Sequence, residues 1–246
     1  MSAKPSPLLY VRATIYYIGF YLVTIVYSSL CLLASPALSY RGRFKMVTGI
    51  NFFYMFWLRV CCGVKVKIEG AEKLPADGSS YVVVSNHSSE WETLFFQTLV
   101  RPQSAVLKQE LLKIPFFGWA LGLLKPIALD RSKRRGALKQ LLSQGKERLQ
   151  EDIPVLIFPQ GTRVPVGKTG KFNKGGAMLA VSAEKPIIPI VHDAGLFWPG
   201  KSYVKYPGTV TVKVGPVIDS KGLSVDEAHE ASVGWLLEEM KQMKVA

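Results

Sequence analysis

The sequence predicts an α/β protein with a central, mostly parallel sheet flanked by helices, preceded by an N-terminal membrane-associated segment of two helices. Three observations lead to this fold class. Short runs of β-branched and apolar residues, typical of buried strands, recur at 81–85, 155–158 and 187–191. Segments with helical signals lie between and after these runs. Residues 13–40 contain no charged side chain, so the chain opens with a segment suited to lipid.

The N-terminal quarter predicts a membrane anchor. The uncharged stretch exceeds the roughly 20 residues that cross a hydrocarbon layer, and it lacks the cleavage site of a signal peptide. Ser35 and Pro36 interrupt it, and a second apolar segment, 46–58, is too short to span alone. A spanning helix and a hairpin dipping into one leaflet both fit, and two core helices of a soluble protein are the alternative. We place the boundary near residue 63, giving an anchor at 1–62 and a main domain at 63–246.

The charge distribution indicates an anionic partner at a membrane surface. The chain carries 31 basic and 18 acidic residues, a formal net charge of +13, and no acidic residue occurs before Glu69. A basic, apolar N-terminal quarter suits anionic lipid better than nucleic acid, and the sequence has no zinc-finger spacing. Three cysteines are too few and too badly spaced for a disulfide framework, which indicates a reducing, cytosol-facing or membrane setting.

The stretch 81–99 holds the first candidate catalytic group. Residues 81–85 predict a buried strand and 90–99 the opening turns of a helix, so His87 lies at the turn between them. A downstream carboxylate can hold an imidazole in one tautomer and stabilise its protonated form, which suits a general base. Glu90 and Glu92 compete for this role. Glu92 can reach His87 only if the histidine lies before the helix proper; a histidine that merely caps the turn is the alternative.

The rest of the chain continues the alternation of strands and helices. A dense basic cluster within 131–135 opens an amphipathic helix, and Ser224 with Glu227 predicts a capping box at the start of the last helix, from Val225. The remaining predicted strands lie at 65–70, 105–108, 127–129 and 209–214, and a further predicted helix lies at 174–183.

The loop that follows the strand at 155–158 is a candidate phosphate site. Residues 159–163, Pro-Gln-Gly-Thr-Arg, place a glycine, a hydroxyl and an arginine at the carboxyl end of a strand, where α/β folds bind ligands. Arg163 would give a phosphate a planar, bidentate donor. Many strand exits look alike, so this loop alone is weak evidence. His192, at the end of another strand, is either a second catalytic histidine or, as we favour, a structural one.

Four sequence blocks occur in order between roughly residues 80 and 195. They are 86–92 (NHSSEWE), 108–119 (KQELLKIPFFGW), 158–163 (FPQGTR) and 187–190 (IIPI). In this arrangement the chain resembles the glycerolipid acyltransferases, and most closely the bacterial 1-acylglycerol-3-phosphate acyltransferases. The first block of that family is Asn-His-x4-Asp and the third is usually Phe-Pro-Glu-Gly-Thr-Arg. The ordered set is far more specific than any one block.

The resemblance implies transfer of a fatty acyl group from a thioester to the free 2-hydroxyl of a lysophosphatidic acid, giving phosphatidic acid for phospholipid biosynthesis. It implies that His87 is the general base and that Glu92 orients it, in an acyltransferase domain at 63–246. It also assigns the acceptor phosphate to Lys108 and Arg163, with Gly161 and Thr162 shaping the loop. The weaker candidates are Asn86, Arg131 and Gln160.

The partners implied by the resemblance are the lipid bilayer, lysophosphatidic acid, and acyl-CoA or acyl carrier protein as the acyl donor. No metal is expected, because the family uses none and no third ligand accompanies the spacing of His87 and Glu90. No cofactor is expected either, and the charge distribution already argues against nucleic acid. We expect the enzyme at the inner membrane, with its catalytic domain facing the cytoplasm.

Two positions depart from the family pattern. Glu92 stands where aspartate is usual, so the side chain that pairs with His87 is one methylene longer. Gln160 stands where glutamate is usual, which removes a charge beside Arg163. Two alternatives stay open: an acyltransferase of the same fold acting on another lysolipid, such as a lyso-ornithine lipid or lysophosphatidylglycerol, and a non-catalytic membrane adaptor that binds phospholipid.

Overall fold

Seven strands form one sheet in the computed structural model, which describes residues 5–130 and 134–245. The sheet order is β1-β7-β6-β2-β5-β3-β4, and every neighbouring pair is parallel except β6 with β7. The strands are β1 (Val64–Glu69), β2 (Val82–Ser85), β3 (Ser104–Lys108), β4 (Ile127–Leu129), β5 (Val155–Ile157), β6 (Ile187–His192) and β7 (Gly208–Val214). The predicted α/β class with a mostly parallel sheet is therefore confirmed.

Helices cover both faces of this sheet. They are α1 (Pro7–Ala34), α2 (Tyr40–Cys62), α3 (Trp91–Leu99), α4 (Phe117–Gly122), α5 (Arg134–Gln150), α6 (Gly175–Ala183), α7 (Ala194–Phe197) and α8 (Val225–Gln242). The predicted capping box of α8 is present, because Ser224 and Glu227 exchange hydrogen bonds between their side chains and backbone N–H groups. The predicted strands and the predicted helices at 90–99, 174–183 and from Val225 agree with the observed ones to within a residue or two at their ends. The apolar segments 13–40 and 46–58 match α1 and α2 less closely, since α1 begins and ends six residues earlier and α2 extends four to six residues beyond the predicted segment at each end.

The central strand β2 separates two apolar cores. Val83 packs on one side with residues of α1, α2 and α3, whereas Val82 and Val84 pack on the other side with residues of α5, α6 and α8. All four residues of β2 are buried, which explains why its sequence is a continuous apolar run. β5 and β6 lie on opposite sides of β2. The carboxyl ends of these three parallel strands therefore meet at one edge, where α/β sheets form their ligand crevices.

The first two helices form a hairpin whose inner face is mainly aromatic and apolar, with a few hydrogen bonds between its polar groups. Tyr54 and Thr24 share a hydrogen bond of 2.6 Å between hydroxyls, Tyr27 donates to the carbonyl of Met46, and Trp57 donates to the carbonyl of Tyr16. The outer face of α1 is apolar: eleven large side chains are exposed, at positions 8, 10, 11, 15, 18, 21, 22, 25, 26, 30 and 33. On a soluble protein an apolar helix face of this kind would instead pack against the core.

Among the described residues, one helix is long and apolar enough to cross a membrane. It comprises α1 and its continuation to Ala37, with a mean hydropathy of 1.9, and only 22% of its most apolar window is buried. The most apolar part of α1 is therefore not buried as a core helix of a soluble protein would be. An exposed apolar patch of this extent marks a surface that another apolar phase covers.

A buried lysine joins α1 to the loop that precedes β7. Lys205 is 1% exposed, and its Nζ lies 3.7 Å from the ring centroid of Tyr17 and 4.5 Å from that of Trp198. Tyr16 and Tyr203 complete this aromatic cage, and the carbonyl of Tyr203 accepts a hydrogen bond from Nζ at 2.9 Å. The faces of aromatic rings attract a cation, so the cage stabilises the ammonium, and no carboxylate of the described residues forms an ion pair with it.

Replacing Lys205 by Met keeps most of the side-chain volume and removes the ammonium. Burial lowers the pKa of Lys205 to about 8 despite the opposing effects of Cys62 and Glu90, whereas lysine in an unfolded chain has a pKa of about 10.4. Between these values the unfolded chain binds more protons, so raising the pH stabilises the folded wild type. We expect the melting temperature of the wild type in detergent to rise relative to that of Lys205→Met from about pH 8 to pH 10. If the melting temperatures of the wild type and of Lys205→Met instead change in parallel over this pH range, the result would contradict a buried ammonium with a lowered pKa.

Candidate active site

His87 lies in the turn between β2 and α3, with its imidazole paired to a buried carboxylate. Its Nδ1 lies 2.8 Å from Oε1 of Glu92, and the two side chains are 14% and 0% exposed. The histidine precedes the helix, which begins at Trp91, so the five-residue separation brings the two groups together. Glu90, the competing carboxylate, does not contact His87 and turns toward Arg163 instead.

Glu92 is a buried anion whose Oε1 is satisfied by local donors, whereas its buried Oε2 has no hydrogen-bond partner among the described residues. Its Oε1 accepts hydrogen bonds of 2.8 Å from the backbone N–H groups of Ser88 and Ser89, in addition to the His87 contact. Burial alone raises the pKa of Glu92, but the contact with His87 and the hydrogen bond from the N–H of Ser89 oppose it, and the pKa lies below its ordinary value. The carboxylate therefore stays ionised and can act as a counter-ion to a protonated His87.

The ring of His87 is fixed in one orientation. It stacks on the ring of Phe158 with centroids 4.4 Å apart and an angle of 18° between the planes. Because Glu92 holds Nδ1, the nitrogen left to exchange a proton with a bound molecule is Nε2. A partly exposed imidazole with a fixed tautomer and a buried counter-ion can act as a general base and then as a general acid.

The loop after β5 is built around Gln160, which points inward. Its Oε1 accepts the backbone N–H of His87 at 2.6 Å, and its Nε2 donates to the carbonyl of Thr169 at 2.6 Å. A carboxylate in this position would offer no donor to Thr169, which gives the replacement of the usual glutamate a physical reason here. Gly161 follows with a φ of +70°, a conformation that glycine adopts without strain.

Arg163 reaches the same turn from the loop. Its Nη1 lies 2.8 Å from Oε1 of Glu90, and its Nε donates to the carbonyl of Ser89 at 3.2 Å. Both ion-pair partners are more than one-third exposed, and Thr162 beside them is also exposed. Sequence analysis did not identify the pairing of Glu90 with Arg163, because 73 positions separate the two residues and no local pattern connects them.

The other candidates lie in different surroundings. Lys108, at the end of β3, is separated from β2 by β5 and pairs with Glu110 at 3.3 Å. No hydrogen bond or ion pair joins it to His87 or Arg163 in the described part of the chain. Asn86 is 2% exposed and bonds through its amide to the backbone of His192. Arg131 lies outside the described residues.

His192 is completely buried, and both of its ring nitrogens have hydrogen-bond partners. This geometry agrees with the structural interpretation rather than with a second base that touches substrate. Within residues 5–130 and 134–245, no group of three His, Cys, Asp or Glu side chains is arranged to hold a metal ion.

Comparisons with known proteins identify relatives of the whole chain. The model of the acyltransferase family matches residues 65–193, more than half of the sequence. A 1-acyl-sn-glycerol-3-phosphate acyltransferase of Pseudomonas aeruginosa is 42% identical over 95% of this chain and 91% of its own length. The human 1-acyl-sn-glycerol-3-phosphate acyltransferase alpha is 31% identical over 80% of this chain and 70% of its own.

A solved structure extends the likeness to three dimensions. The crystal structure of the 1-acyl-sn-glycerophosphate (LPA) acyltransferase PlsC from Thermotoga maritima matches with a TM-score of 0.81 at 25% identity. The match covers 96% of each chain, so it includes the first two helices as well as the sheet.

Replacing Gln160 by Glu should make stability depend on pH. The carbonyl of Thr169 needs a donor, which a carboxyl group supplies only when protonated, so the fold should raise the pKa of the new carboxyl above its unfolded value of about 4.3. A raised folded pKa gives stability that is present at low pH and lost as the pH rises. We expect the melting temperature of Gln160→Glu to fall relative to the wild type from about pH 5 to pH 8.

The matched control for this change is Gln150→Glu, which makes the same substitution at an exposed position. Its melting temperature should follow that of the wild type across the pH range. If Gln160→Glu also follows the wild type, the hydrogen bond to Thr169 does not require the amide.

Proposed function

Since the chain belongs to the acyltransferase family, we propose that it transfers a fatty acyl group from acyl-CoA or acyl carrier protein to the 2-hydroxyl of 1-acyl-glycerol-3-phosphate. The product is phosphatidic acid. The observation that carries the proposal is the 2.8 Å contact between His87 Nδ1 and the fully buried Glu92, at the edge of the sheet that also presents the loop with Arg163. Relatives that share most of the chain bear the name of this activity.

The reaction needs one group that first accepts and then donates a proton. His87 Nε2 takes the proton of the 2-hydroxyl as its oxygen attacks the thioester carbonyl carbon. The tetrahedral intermediate then collapses, the carbon–sulfur bond breaks, and the imidazolium returns its proton to the departing thiolate. Glu92 stabilises the imidazolium between these steps, as the carboxylate of a triad does. No acyl-enzyme forms in this sequence.

Arg163 is the proposed ligand of the acceptor phosphate. In the structure it is paired with Glu90, but both side chains are more than one-third exposed, and such a pair is worth at most about 1 kcal/mol. A phosphate dianion offers the guanidinium two oxygens in a planar arrangement and can replace the single carboxylate contact. Gly161 and Thr162 shape this loop. Lys108 would act as a second, longer-range cation across β5.

The membrane supplies the lipid substrate and covers α1. The eleven exposed apolar side chains of α1 would lie among acyl chains. Both halves of α1 contact the rest of the protein, since Tyr16 packs on Trp198 and α1 also packs on α4. These contacts support a hairpin embedded in one leaflet rather than a single helix that spans the bilayer. We propose the cytoplasmic face of the inner membrane as its location.

The first test is acyl transfer by the wild type and by His87→Ala, with purified protein, a labelled acyl thioester and lysophosphatidic acid in vesicles. Removal of a positioned general base typically lowers a rate by about 10² to 10⁴. We expect kcat to fall by that factor, with free thiol release falling in parallel and the melting temperature preserved.

His229→Ala is the matched control, since His229 lies on α8, and it should keep the activity of the wild type. Equal activity in His87→Ala would contradict the mechanism. If neither the wild type nor the control forms phosphatidic acid, the acceptor is another lysolipid, and the same assay with lysophosphatidylglycerol and lyso-ornithine lipid identifies it.

Substitutions at Arg163 and Glu90 test the phosphate site. Arg163→Ala removes a charged hydrogen-bond donor, so the KM for lysophosphatidic acid should rise by roughly 10- to 100-fold with a smaller change in kcat. Glu90→Gln removes the competing carboxylate, so its KM should be equal to or below that of the wild type. An unchanged KM in Arg163→Ala would exclude Arg163 as the phosphate ligand.

A further inference from the structure

The peptide group that joins Asn86 to His87 is held at both of its polar atoms. Its carbonyl oxygen lies 2.9 Å from Nε2 of His192, and its N–H donates to Oε1 of Gln160 at 2.6 Å. All three flanking side chains are at least nine-tenths buried: Asn86, Gln160 and His192 are 2%, 8% and 0% exposed. Because a peptide group is planar, two bonds at opposite edges prevent it from tilting.

The tautomer of His192 makes it the donor in this contact. The backbone N–H of Ala194 donates to Nδ1 of His192 at 3.3 Å, so Nδ1 carries the lone pair and Nε2 carries the proton. Burial lowers the pKa of His192, although Glu92 and the carbonyl of Asn86 oppose the shift. The imidazole is therefore neutral, and its N–H donates to the carbonyl of Asn86.

Two further hydrogen bonds fix His192 against the same turn. The amide of Asn86 donates to the carbonyl of His192 at 2.9 Å and accepts its N–H at 3.0 Å. These bonds continue the ladder between β2 and β6, whose last paired residues are Ser85 and Ile190. The end of β6 thus sets the position of the residue that precedes His87.

The nearest alternative explanation is a direct action of His192 on Glu92. The distance from Nε2 of His192 to Oε1 of Glu92 is 4.0 Å, which is too long for a hydrogen bond. The proton on Nε2 is already committed to the carbonyl of Asn86 at 2.9 Å. The hydroxyl of Ser85 is a second donor to that carbonyl, but at the longer distance of 3.3 Å.

We infer that His192 is a positioning residue for acyl transfer, which clamps the peptide before His87 together with Gln160 and so fixes the direction of the catalytic imidazole. The inference rests on the proposed role of His87 as the base. The Cβ of His87 follows its backbone, so a tilt of this peptide would swing the ring away from Phe158 and Glu92. Reacting atoms must approach to about 3–3.5 Å, and a displacement of about 1 Å can cost about 100-fold in rate.

Two substitutions separate the donor of His192 from its bulk. His192→Leu fills a similar volume without a donor, whereas His192→Gln places a terminal N–H near the position of Nε2. We expect His192→Leu to lower kcat about 100-fold while the KM for lysophosphatidic acid stays within about twofold, because the phosphate site is untouched. His192→Gln should restore most of kcat. A glutamine variant as inactive as the leucine variant at an equal melting temperature would overturn the inference.

A spectroscopic measurement tests the clamp without turnover. The chain contains three histidines, His87, His192 and His229, so ¹⁵N-histidine labelling gives one assignable signal set for each ring. In His192→Leu the Nδ1–H signal of His87, which reports its bond to Glu92, should shift or broaden. In the control His229→Leu it should not move. An unchanged His87 signal in folded His192→Leu would overturn the inference.

The other end of the clamp supplies a second variant in case His192→Leu does not fold. Gln160→Met removes the acceptor for the N–H of His87 and should also lower kcat and shift the His87 signal. An unchanged His87 signal in folded Gln160→Met would overturn the clamp. If the double variant His192→Leu/Gln160→Met folds, its loss of kcat should be close to that of either single variant, because both side chains act on one peptide group. Losses of kcat that multiply in the double variant would contradict a shared clamp. Failure of the proposed role of His87 can be distinguished from failure of this inference, because it would appear as full activity in His87→Ala.

Discussion

The ionised carboxylate of Glu92 is the constraint on which the site depends. A buried charge is costly unless it is paired and hydrogen-bonded, and Oε1 of Glu92 meets this condition through His87 and the N–H groups of Ser88 and Ser89. Those donors converge only if β2 ends at Ser85 and α3 begins a few residues later. The Glu92 carboxylate that supports His87 therefore also fixes the conformation of the turn that carries His87. The hydrogen bonds to Glu92 and the conformation of this turn depend on each other.

The turn is braced by parts of the chain that lie far away in sequence. The end of β6 bonds to Asn86, the loop after β5 bonds to the N–H of His87, and the N–H of Val164 donates to its carbonyl at 2.8 Å. Both bracing strands are neighbours of β2 in the sheet. β2 is buried on both faces, so the turn that carries the imidazole is anchored by hydrogen bonds to close-packed strands.

Local sequence patterns predicted the features that depend on residues close together in the chain. The apolar runs identified the buried strands, and the Ser224 box identified the start of α8. The position of His87 before a helix left Glu90 and Glu92 as competing partners, and the family resemblance assigned Glu92. The missing features are contacts between distant residues. Nothing near Glu90 indicates that it pairs with Arg163, and a lysine is ordinarily exposed, so the buried Lys205 could not be anticipated. Phe158 was assigned to a strand, but it lies just beyond β5 and supports the ring of His87.

The shared packing of the first helices has a practical consequence for handling the protein. Tyr16, Tyr54 and Leu58 belong to the same apolar cluster as Val83 and Trp91, and two sides of the cage around Lys205 come from α1. Cutting the chain at residue 63 would expose this cluster to water and remove two of the four rings around the Lys205 ammonium. A water-soluble form of the enzyme is therefore better sought by replacing the outward apolar side chains of α1 with polar ones than by truncation.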